Sequence, residues 1–398
     1  MQSKPRPHAV PSRPRFRSVV VLLAAVVACS IPLPATTACP FCSAVGQTLR
    51  QEMEVMDAVV IASAMQSDAT RNADTGEVQM KIEMVLKGGE YVEIGHVVKA
   101  IYFGDVAKGR RFLLSGVDPS DMQWSCLPVT PKAEAYLVRI PEMAEKTDAE
   151  RLLFYMEYLQ HEDSMLSRDA YDEFANAPYS ALFEIEGEMD HDQLIAWLGD
   201  DTMSPDRKRL YLTMLGVCGS KDDLPMLEQM LLSTQKTARS GLDALIACYL
   251  TLAGEPGLKL VNKEFLENQK ASYADTYAAI MAVRFHGTEG SVIARSALVE
   301  SLHYILDRED LADLVIPDLA RWDDWSQVDK MKELFLNADA ENNWVRVPVV
   351  NYLRACPKPE AAEVMEELKK VDPASVRRAN TFFAIPKPAA IDAGAKDQ

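Results

Sequence analysis

Two cysteines near the N-terminus have the spacing of a reactive thiol pair. Cys39 and Cys42 are separated by Pro40 and Phe41, and the mixed polar and apolar residues that run on to Met56 predict a short helix. Backbone N–H groups and the dipole at a helix N-terminus stabilise a thiolate, so this C-x-x-C pattern is typical of a thiol–disulfide redox site. A thioredoxin-type site has a strand before the motif, whereas here only a targeting segment precedes it.

The same cysteines have two other interpretations. Either of them can pair with Cys126 in a structural disulfide, which would close a loop of about 85 residues and stabilise the fold by a few kcal/mol. The third interpretation is a metal or haem site. Residue 43 is serine where haem attachment needs histidine, and no second C-x-x-C or H-x-x-x-H completes a zinc site. We therefore expect no cofactor and no metal, and we retain Cys39, Cys42 and Cys126 as disulfide or redox candidates.

The remaining ionisable clusters do not identify an enzyme. The acidic runs His161–Asp163 and Asp190–Asp192 are typical of solvated turns between helices, which bind a cation weakly at most. The chain has no H-E-x-x-H, G-x-S-x-G, G-x-G-x-x-G or phosphate-binding glycine loop. No catalytic residue is predicted, although an acid–base pair assembled only by the fold would leave no local motif.

The chain is acidic and long enough for more than one domain. It has 398 residues, of which 59 are Asp or Glu and 42 are Lys or Arg, for a net charge of −17. Nucleic-acid-binding proteins carry a basic surface, so this charge argues against a nucleic-acid partner. The hydrophobic content of 48% is ordinary for a globular chain, and seven cysteines are too few for a disulfide-dense scaffold.

Residues 1–38 have the composition of a signal peptide. Basic residues without acidic ones precede an apolar run over residues 18–28, which is shorter than a bilayer span. Small residues form a cleavage site after Ala38. A second interpretation is a bacterial lipobox ending at Cys29, where a lipid would be the only membrane attachment. We expect an exported protein, periplasmic or extracellular, that is a lipoprotein if the second interpretation holds.

The segment 39–141 predicts a small antiparallel β-barrel. Residues 78–86 alternate between apolar and polar side chains with the two-residue period of a half-buried strand, and Gly88 and Gly89 end it. Further short apolar runs separated by turn residues favour a Greek-key barrel. These runs are Asp57–Ala62, Val97–Phe103, Phe112–Leu114, Met122–Leu127 and Ala135–Ile140.

Short motifs follow one another in this segment in a recognisable order. After a cysteine at the expected mature N-terminus come Asp57–Ala62, Met80–Gly88, Phe112–Gly116 and Trp124–Cys126. This order resembles the netrin-like domain, the OB-fold module of the tissue inhibitors of metalloproteinases. The resemblance implies disulfides from the N-terminal cysteines to later ones. It also implies protease inhibition, in which the amine and carbonyl of Cys39 chelate the protease zinc and Pro40 enters the substrate pocket.

The chain departs from that family in two respects. Its N-terminal cysteines are spaced C-x-x-C instead of C-x-C, and Cys126 is the only later cysteine in the same segment. Both family disulfides therefore cannot form, which weakens the rigid ridge that such inhibition needs.

From residue 147 to 383 the sequence predicts helices in pairs. Apolar residues have helical spacing, and one set of them recurs with a constant offset of 34 residues. The set is Leu319, Trp322, Val328, Met331 and Leu334, followed by Leu353, Cys356, Ala362, Met365 and Leu368. The pattern resembles degenerate HEAT repeats, which implies an all-α solenoid whose helix pairs bury their faces against neighbouring pairs. Residues 384–398 are rich in Pro and Ala and predict a disordered tail.

The predicted fold is α+β and multidomain, with an OB-like barrel over 39–141 and a HEAT-like solenoid over 147–383. Solenoids offer large protein-binding surfaces, so we expect a secreted, non-catalytic scaffold that binds a protein partner. The alternatives are a metalloprotease inhibitor acting through Cys39 and a redox protein acting through Cys39 and Cys42. The first solenoid helix is apolar on nearly all sides, so we also expect the barrel to pack against it as a cap.

Overall fold

A five-stranded antiparallel sheet and a long series of helices make up the fold. The computed structural model describes residues 41–42, 45–69, 74–338 and 343–382, and these belong to one compact unit. The predicted signal segment, Cys29, Cys39 and the predicted tail lie outside the described residues. The predicted α+β class is confirmed.

The sheet is curled into a half-barrel. Its strands are β1 (Ala58–Ala64), β2 (Glu77–Lys87), β3 (Val97–Ile101), β4 (Arg111–Val117) and β5 (Gln123–Pro128). They lie in the order β3-β2-β1-β4-β5, so β1 is central and pairs antiparallel with both β2 and β4. The edge strands approach one another where the Cys126 thiol of β5 donates to the Ile101 carbonyl of β3, at 3.1 Å.

The two faces of the sheet pack in different cores. Inside the curl, Val60, Met80 and Phe112 belong to a small cluster confined to the sheet and its loops. On the outer face, Val59 and Ile61 belong to the core that also contains the helices. Because successive side chains of a strand point to opposite faces, the central strand is apolar at nearly every position.

Residues 135–140 are helical, so the predicted sixth strand is wrong. Helix α2 (Pro131–Met143) has Thr130 as its N-cap, and the Thr130 hydroxyl accepts a hydrogen bond from the N–H of Ala133. Its buried residues are spaced as i, i+3, i+4 and i+7, along one face. They are Ala133, Tyr136, Leu137 and Ile140. The apolar run 135–140 is too short to distinguish the two-residue period of a strand from the 3.6-residue period of a helix. The capping residues before it favour a helix.

Helices form almost all of the remaining described chain. A short helix, α1 (Leu49–Val55), precedes the sheet. The helices after α2 are α3 (Asp148–Met156), α4 (Ser164–Asn176), α5 (Tyr179–Glu184), α6 (His191–Leu198), α7 (Pro205–Cys218), α8 (Leu224–Leu231), α9 (Leu242–Ala253), α10 (Leu258–Val261), α11 (Tyr273–Thr288), α12 (Arg295–His303), α13 (Ala312–Arg321), α14 (Val328–Asn337), α15 (Arg346–Ala355), α16 (Pro359–Val371) and α17 (Pro373–Phe382). Among the described residues, no helix is long and apolar enough to cross a membrane.

Many helices pack against the next helix but one along the chain. Helix α7 packs on α9 and α9 on α11, while α13 packs on α15 and α15 on α17. Ion pairs connect such layers at a separation of 34 residues: Arg209 to Asp243 at 2.9 Å, and Arg284 to Asp318 at 2.6 Å. The offset found in the sequence therefore recurs as contacts between neighbouring layers of helices.

The sheet and the helices share one continuous hydrophobic core. Ile61 and Leu113 from the outer sheet face, Leu137 of α2 and Phe154 of α3 all belong to it. Helix α2 contacts both β2 and α4, so it connects the sheet to the helical part.

Candidate functional site

The structure does not bring the predicted cysteine partners Cys42 and Cys126 together. Cys42 is half-buried and packs against the core shared by the sheet and the helices. Cys126 lies in β5 opposite Leu114 of β4, and it packs against the cluster inside the curl. Cys42 and Cys126 therefore pack against different hydrophobic clusters.

The surroundings of Cys126 suppress its reactivity. Its thiol is free, and burial raises the thiol pKa. The thiolate is the reactive form of cysteine, so a raised pKa disfavours nucleophilic and redox chemistry at this position. The hydrogen bond from Cys126 to the Ile101 carbonyl gives the residue a structural role between two edge strands.

The side chain of Phe41 is buried in the helical core. The residue is 4% exposed, and its ring centroid lies 4.9 Å from that of Phe285 in α11. The Phe285 ring in turn lies 5.1 Å from the ring of Tyr179 in α5. The chain next to Cys42 is thus held among helices and does not project from the sheet.

Buried carboxylates of α4 hold the segment that follows. Asp169, Asp172 and Glu173 are each 4% exposed. The Asp172 carboxylate accepts a hydrogen bond from the Gly46 N–H at 3.0 Å, and the Asp169 carboxylate accepts one from the Leu49 N–H at 2.6 Å. These acids therefore position the start of α1 from across the molecule.

The same cluster contains a carboxyl group with an unusual pKa. Burial raises the pKa of Asp169 to about 6, although hydrogen bonds from the Leu49 N–H and the Tyr136 hydroxyl act in the opposite direction. Glu173 pairs with the Arg50 guanidinium at 3.1 Å. All of these partners are protein groups, so the cluster acts as an anchor for the N-terminal segment.

The acidic runs singled out in the sequence have structural roles. Asp163 and Asp190 are the N-caps of α4 and α6. His191 lies 2.9 Å from Asp223, and this pairing raises the His191 pKa. In the part of the chain that the structure describes, no group of three His, Cys, Asp or Glu side chains is placed to hold a metal ion.

An apolar groove of about 540 Å³ lies between α13 and α15. Trp344, which precedes α15, lines it and is 76% exposed. The other apolar residues that line the groove are Ile316, Pro317, Ala320, Val347 and Pro348. Exposed apolar surface of this kind marks interaction sites on folded proteins.

The groove offers hydrogen-bond acceptors. The side-chain oxygen of Asn351 is buried and, among the described residues, has no hydrogen-bond partner. Pro317 lies within α13 and has no N–H, so the helical hydrogen bond to the carbonyl of Asp313 is not formed. Arg378, the one cation among the described lining residues, donates to the Ser375 hydroxyl at 2.7 Å.

An acidic cleft of about 220 Å³ adjoins the groove. Lys330 carries the one ammonium group among the described residues that line the cleft, and it lies 2.9 Å from Asp307 and 3.2 Å from Glu333. The carboxylates that line the cleft are Asp307, Glu309, Asp310, Asp313 and Glu333. Asp313 and Trp344 line both depressions, so groove and cleft form one continuous surface, which we call the Trp344 surface.

The Trp344 surface corresponds to no sequence motif. The sequence signal for it lies in α15. Apolar residues occur on most sides of this helix, so its apolar surface is larger than the neighbouring helices can cover. The acids of the cleft come from α13, α14 and the turn before α13, and they become neighbours only in the folded chain.

No protein-family model, curated protein or solved structure matches this chain. The functional assignment therefore rests on the geometry and charge of the described residues.

Proposed function

We propose that this protein is an exported, non-catalytic scaffold that binds a protein partner at the Trp344 surface. The observation that carries the proposal is a tryptophan, 76% exposed, at the junction of an apolar groove and an acidic cleft. Tryptophan is enriched among the residues that dominate the binding energy of protein interfaces. Covering this apolar surface would remove it from water, which favours association.

The composition of the surface favours binding over catalysis. Enzyme sites that work by nucleophilic catalysis most often combine a pocket with a Ser, Cys or Thr nucleophile and a histidine base. The described residues that line the groove and the cleft include no His, Cys, Ser or Thr. The Tyr352 hydroxyl at the groove donates to the backbone carbonyl of Asp324 at 2.6 Å, so it already has a structural partner.

The architecture supports a scaffold. The strand order β3-β2-β1-β4-β5, with β5 meeting β3 at Cys126, agrees with a partly open five-stranded Greek-key barrel of the OB type. The ion pairs at 34-residue separation agree with repeats of the HEAT type. Such repeats provide extended binding surfaces. The basic and apolar composition of residues 1–38 supports export.

The two alternative functions have weaker support. Zinc chelation requires an accessible N-terminal Cys39, yet Phe41 is packed against Phe285 in the helical core. Redox chemistry requires a reactive pair at Cys39 and Cys42, yet Cys42, the member of the pair that the structure describes, is half-buried against the core shared by the sheet and the helices.

Site-specific photocrosslinking in the exporting cell tests the proposal. One variant carries a photoreactive amino acid at Val347 in the groove, and the matched control carries it at Ile94, an exposed apolar residue of the sheet domain. We expect a covalent adduct with another protein from position 347 and none from position 94. Absence of an adduct at 347, or equal adducts at both positions, would overturn the proposal.

A further inference from the structure

We infer that the segment bound at the Trp344 surface is an extended stretch of the partner in which apolar side chains lie next to Lys or Arg. The apolar side chains would occupy the groove and the basic side chain the cleft. This inference rests on the proposed function and specifies the chemistry of the partner.

Charge is the first argument. The described residues that line the cleft include five carboxylates and one ammonium group, and that ammonium group is already paired with Asp307 and Glu333. The buried Arg308 donates to the Thr276 hydroxyl at 2.7 Å and pairs with Asp310 at 3.7 Å, so it offsets one further acid, and five carboxylates still outnumber the two cations. Glu309 and Asp310 are exposed, so a cation from outside can approach them. Complementary charge selects partners and speeds their association.

Hydrogen bonding is the second argument. The Asn351 side-chain oxygen is a buried acceptor that has no donor among the described residues, and the carbonyl of Asp313 lacks its helical donor because residue 317 is proline. An extended peptide presents backbone N–H groups, and Lys and Arg add side-chain donors. A basic segment therefore supplies the groups that the surface lacks.

Continuity is the third argument. Asp313 and Trp344 belong to both depressions, so a single segment can pass from one to the other across the tryptophan ring. Aromatic faces also attract cations, which favours Lys or Arg at this crossing point. An anionic membrane or a nucleic acid would be repelled by the same carboxylates.

Panning a display library of random short peptides against the intact protein tests the inference. Trp344→Ala serves as the counter-selection target, so only peptides that need the Trp344 surface are retained. We expect the retained peptides to combine aliphatic or aromatic residues with Lys or Arg. Retained peptides that are acidic or uncharged would overturn the basic partner class while leaving the docking surface intact. No retained peptide would overturn both proposals.

The affinity of a retained peptide then tests the role of the cleft. The double substitution Glu309→Gln, Asp310→Asn removes two exposed charges, and we expect binding about fivefold to tenfold weaker and less sensitive to salt. Asp329→Asn, an exposed acid of α14 outside the cleft, is the matched control and leaves the affinity unchanged. Equal losses in both variants, or unchanged binding in the double variant, would overturn the inference.

Two further measurements distinguish a protein partner from two other occupants of the Trp344 surface, the C-terminal tail of the chain and a lipid membrane. A chain that ends at residue 382 should bind the retained peptide as well as the full chain does. Tighter binding after the truncation, with competition by a peptide of residues 384–398, would make the tail the occupant and overturn the inference. Cosedimentation with anionic lipid vesicles that Trp344→Ala abolishes would overturn it in favour of a membrane.

Discussion

The raised pKa of Asp169 results from the burial of its carboxyl group. Its carboxylate accepts hydrogen bonds from the Leu49 N–H and the Tyr136 hydroxyl, yet burial raises its pKa to about 6. In the unfolded chain an aspartate titrates near about 3.9. Between these two values the native state binds more protons than the unfolded state. Ionisation of Asp169 therefore lowers the free energy of unfolding as the pH rises through this window.

The substitution Asp169→Asn tests whether the ionisation of residue 169 lowers the free energy of unfolding as the pH rises. Asparagine retains an acceptor for the Leu49 N–H and does not ionise. We expect the unfolding free energy of the wild type, relative to the variant, to fall by about 2 kcal/mol between about pH 4 and pH 7. Denaturant titrations at both pH values measure this, with Asp329→Asn as an exposed control. A relative stability that is constant with pH, or that rises, contradicts the assignment.

At this scale, a residue type that has chemistry of its own can be singled out from the sequence. Cys42 and Cys126 were identifiable as candidates because thiol chemistry is rare and specific. Their placement against different cores was not predictable, because it depends on which strands pair. The unpaired oxygen of Asn351 is likewise a property of its neighbours.

Among the elements, the ion pair between α11 and α13 has a clear energetic role. The Asp318 side chain is 1% exposed, and the Arg284 guanidinium donates to it and to the Leu314 carbonyl. Arg321, which is 57% exposed, is the second cation at Asp318. Without Arg284, the buried carboxylate of Asp318 would keep only Arg321 as a cationic partner, and solvent screens that interaction.

We expect Arg284→Leu to lower the free energy of unfolding by about 3 kcal/mol. Arg354→Leu, at an exposed arginine of α15, is the matched control and changes the stability by about 0.5 kcal/mol or less. Chemical denaturation monitored by circular dichroism measures both variants. Equal stability of the two variants would show that the pair between helix layers contributes nothing.

Strands and helices with long periodic patterns were easier to predict than those with short ones. The long alternation in β2 identified that strand, and the helical spacing identified the helices beyond residue 147. The short run Ala135–Ile140 fits either period, and the N-cap Thr130 with Pro131 is what identifies it as helical.

Across the whole molecule, the continuous core makes the sheet domain and the helices interdependent. The outer sheet face, α2 and α3 bury apolar side chains in the same cluster. Deleting residues 39–141 would remove Tyr136, whose ring lies 5.4 Å from that of Phe154 in α3, and would expose Phe154 to water. We expect the truncated protein to aggregate or to melt at a lower temperature in size-exclusion and thermal-unfolding experiments. A chain that lacks only residues 383–398 is the control. A monomeric truncated protein with an unchanged melting temperature contradicts the capping role.

Two regions, a β-rich one followed by a helical one, are predictable from the sequence because composition and period change near residue 147. The Trp344 surface is not predictable, since the groove depends on how α13 and α15 pack and the cleft depends on which turns lie close together in the folded chain.

The central claim is that Trp344 anchors a protein partner. Calorimetric titration of the partner recovered by crosslinking into the intact protein tests it most directly. We predict that Trp344→Ala weakens binding by at least about tenfold, corresponding to about 1.4 kcal/mol or more. Phe103→Ala removes an aromatic residue of similar exposure, 71%, from the sheet domain and should leave the affinity unchanged. Unchanged affinity in Trp344→Ala, or an equal loss in both variants, would contradict the account.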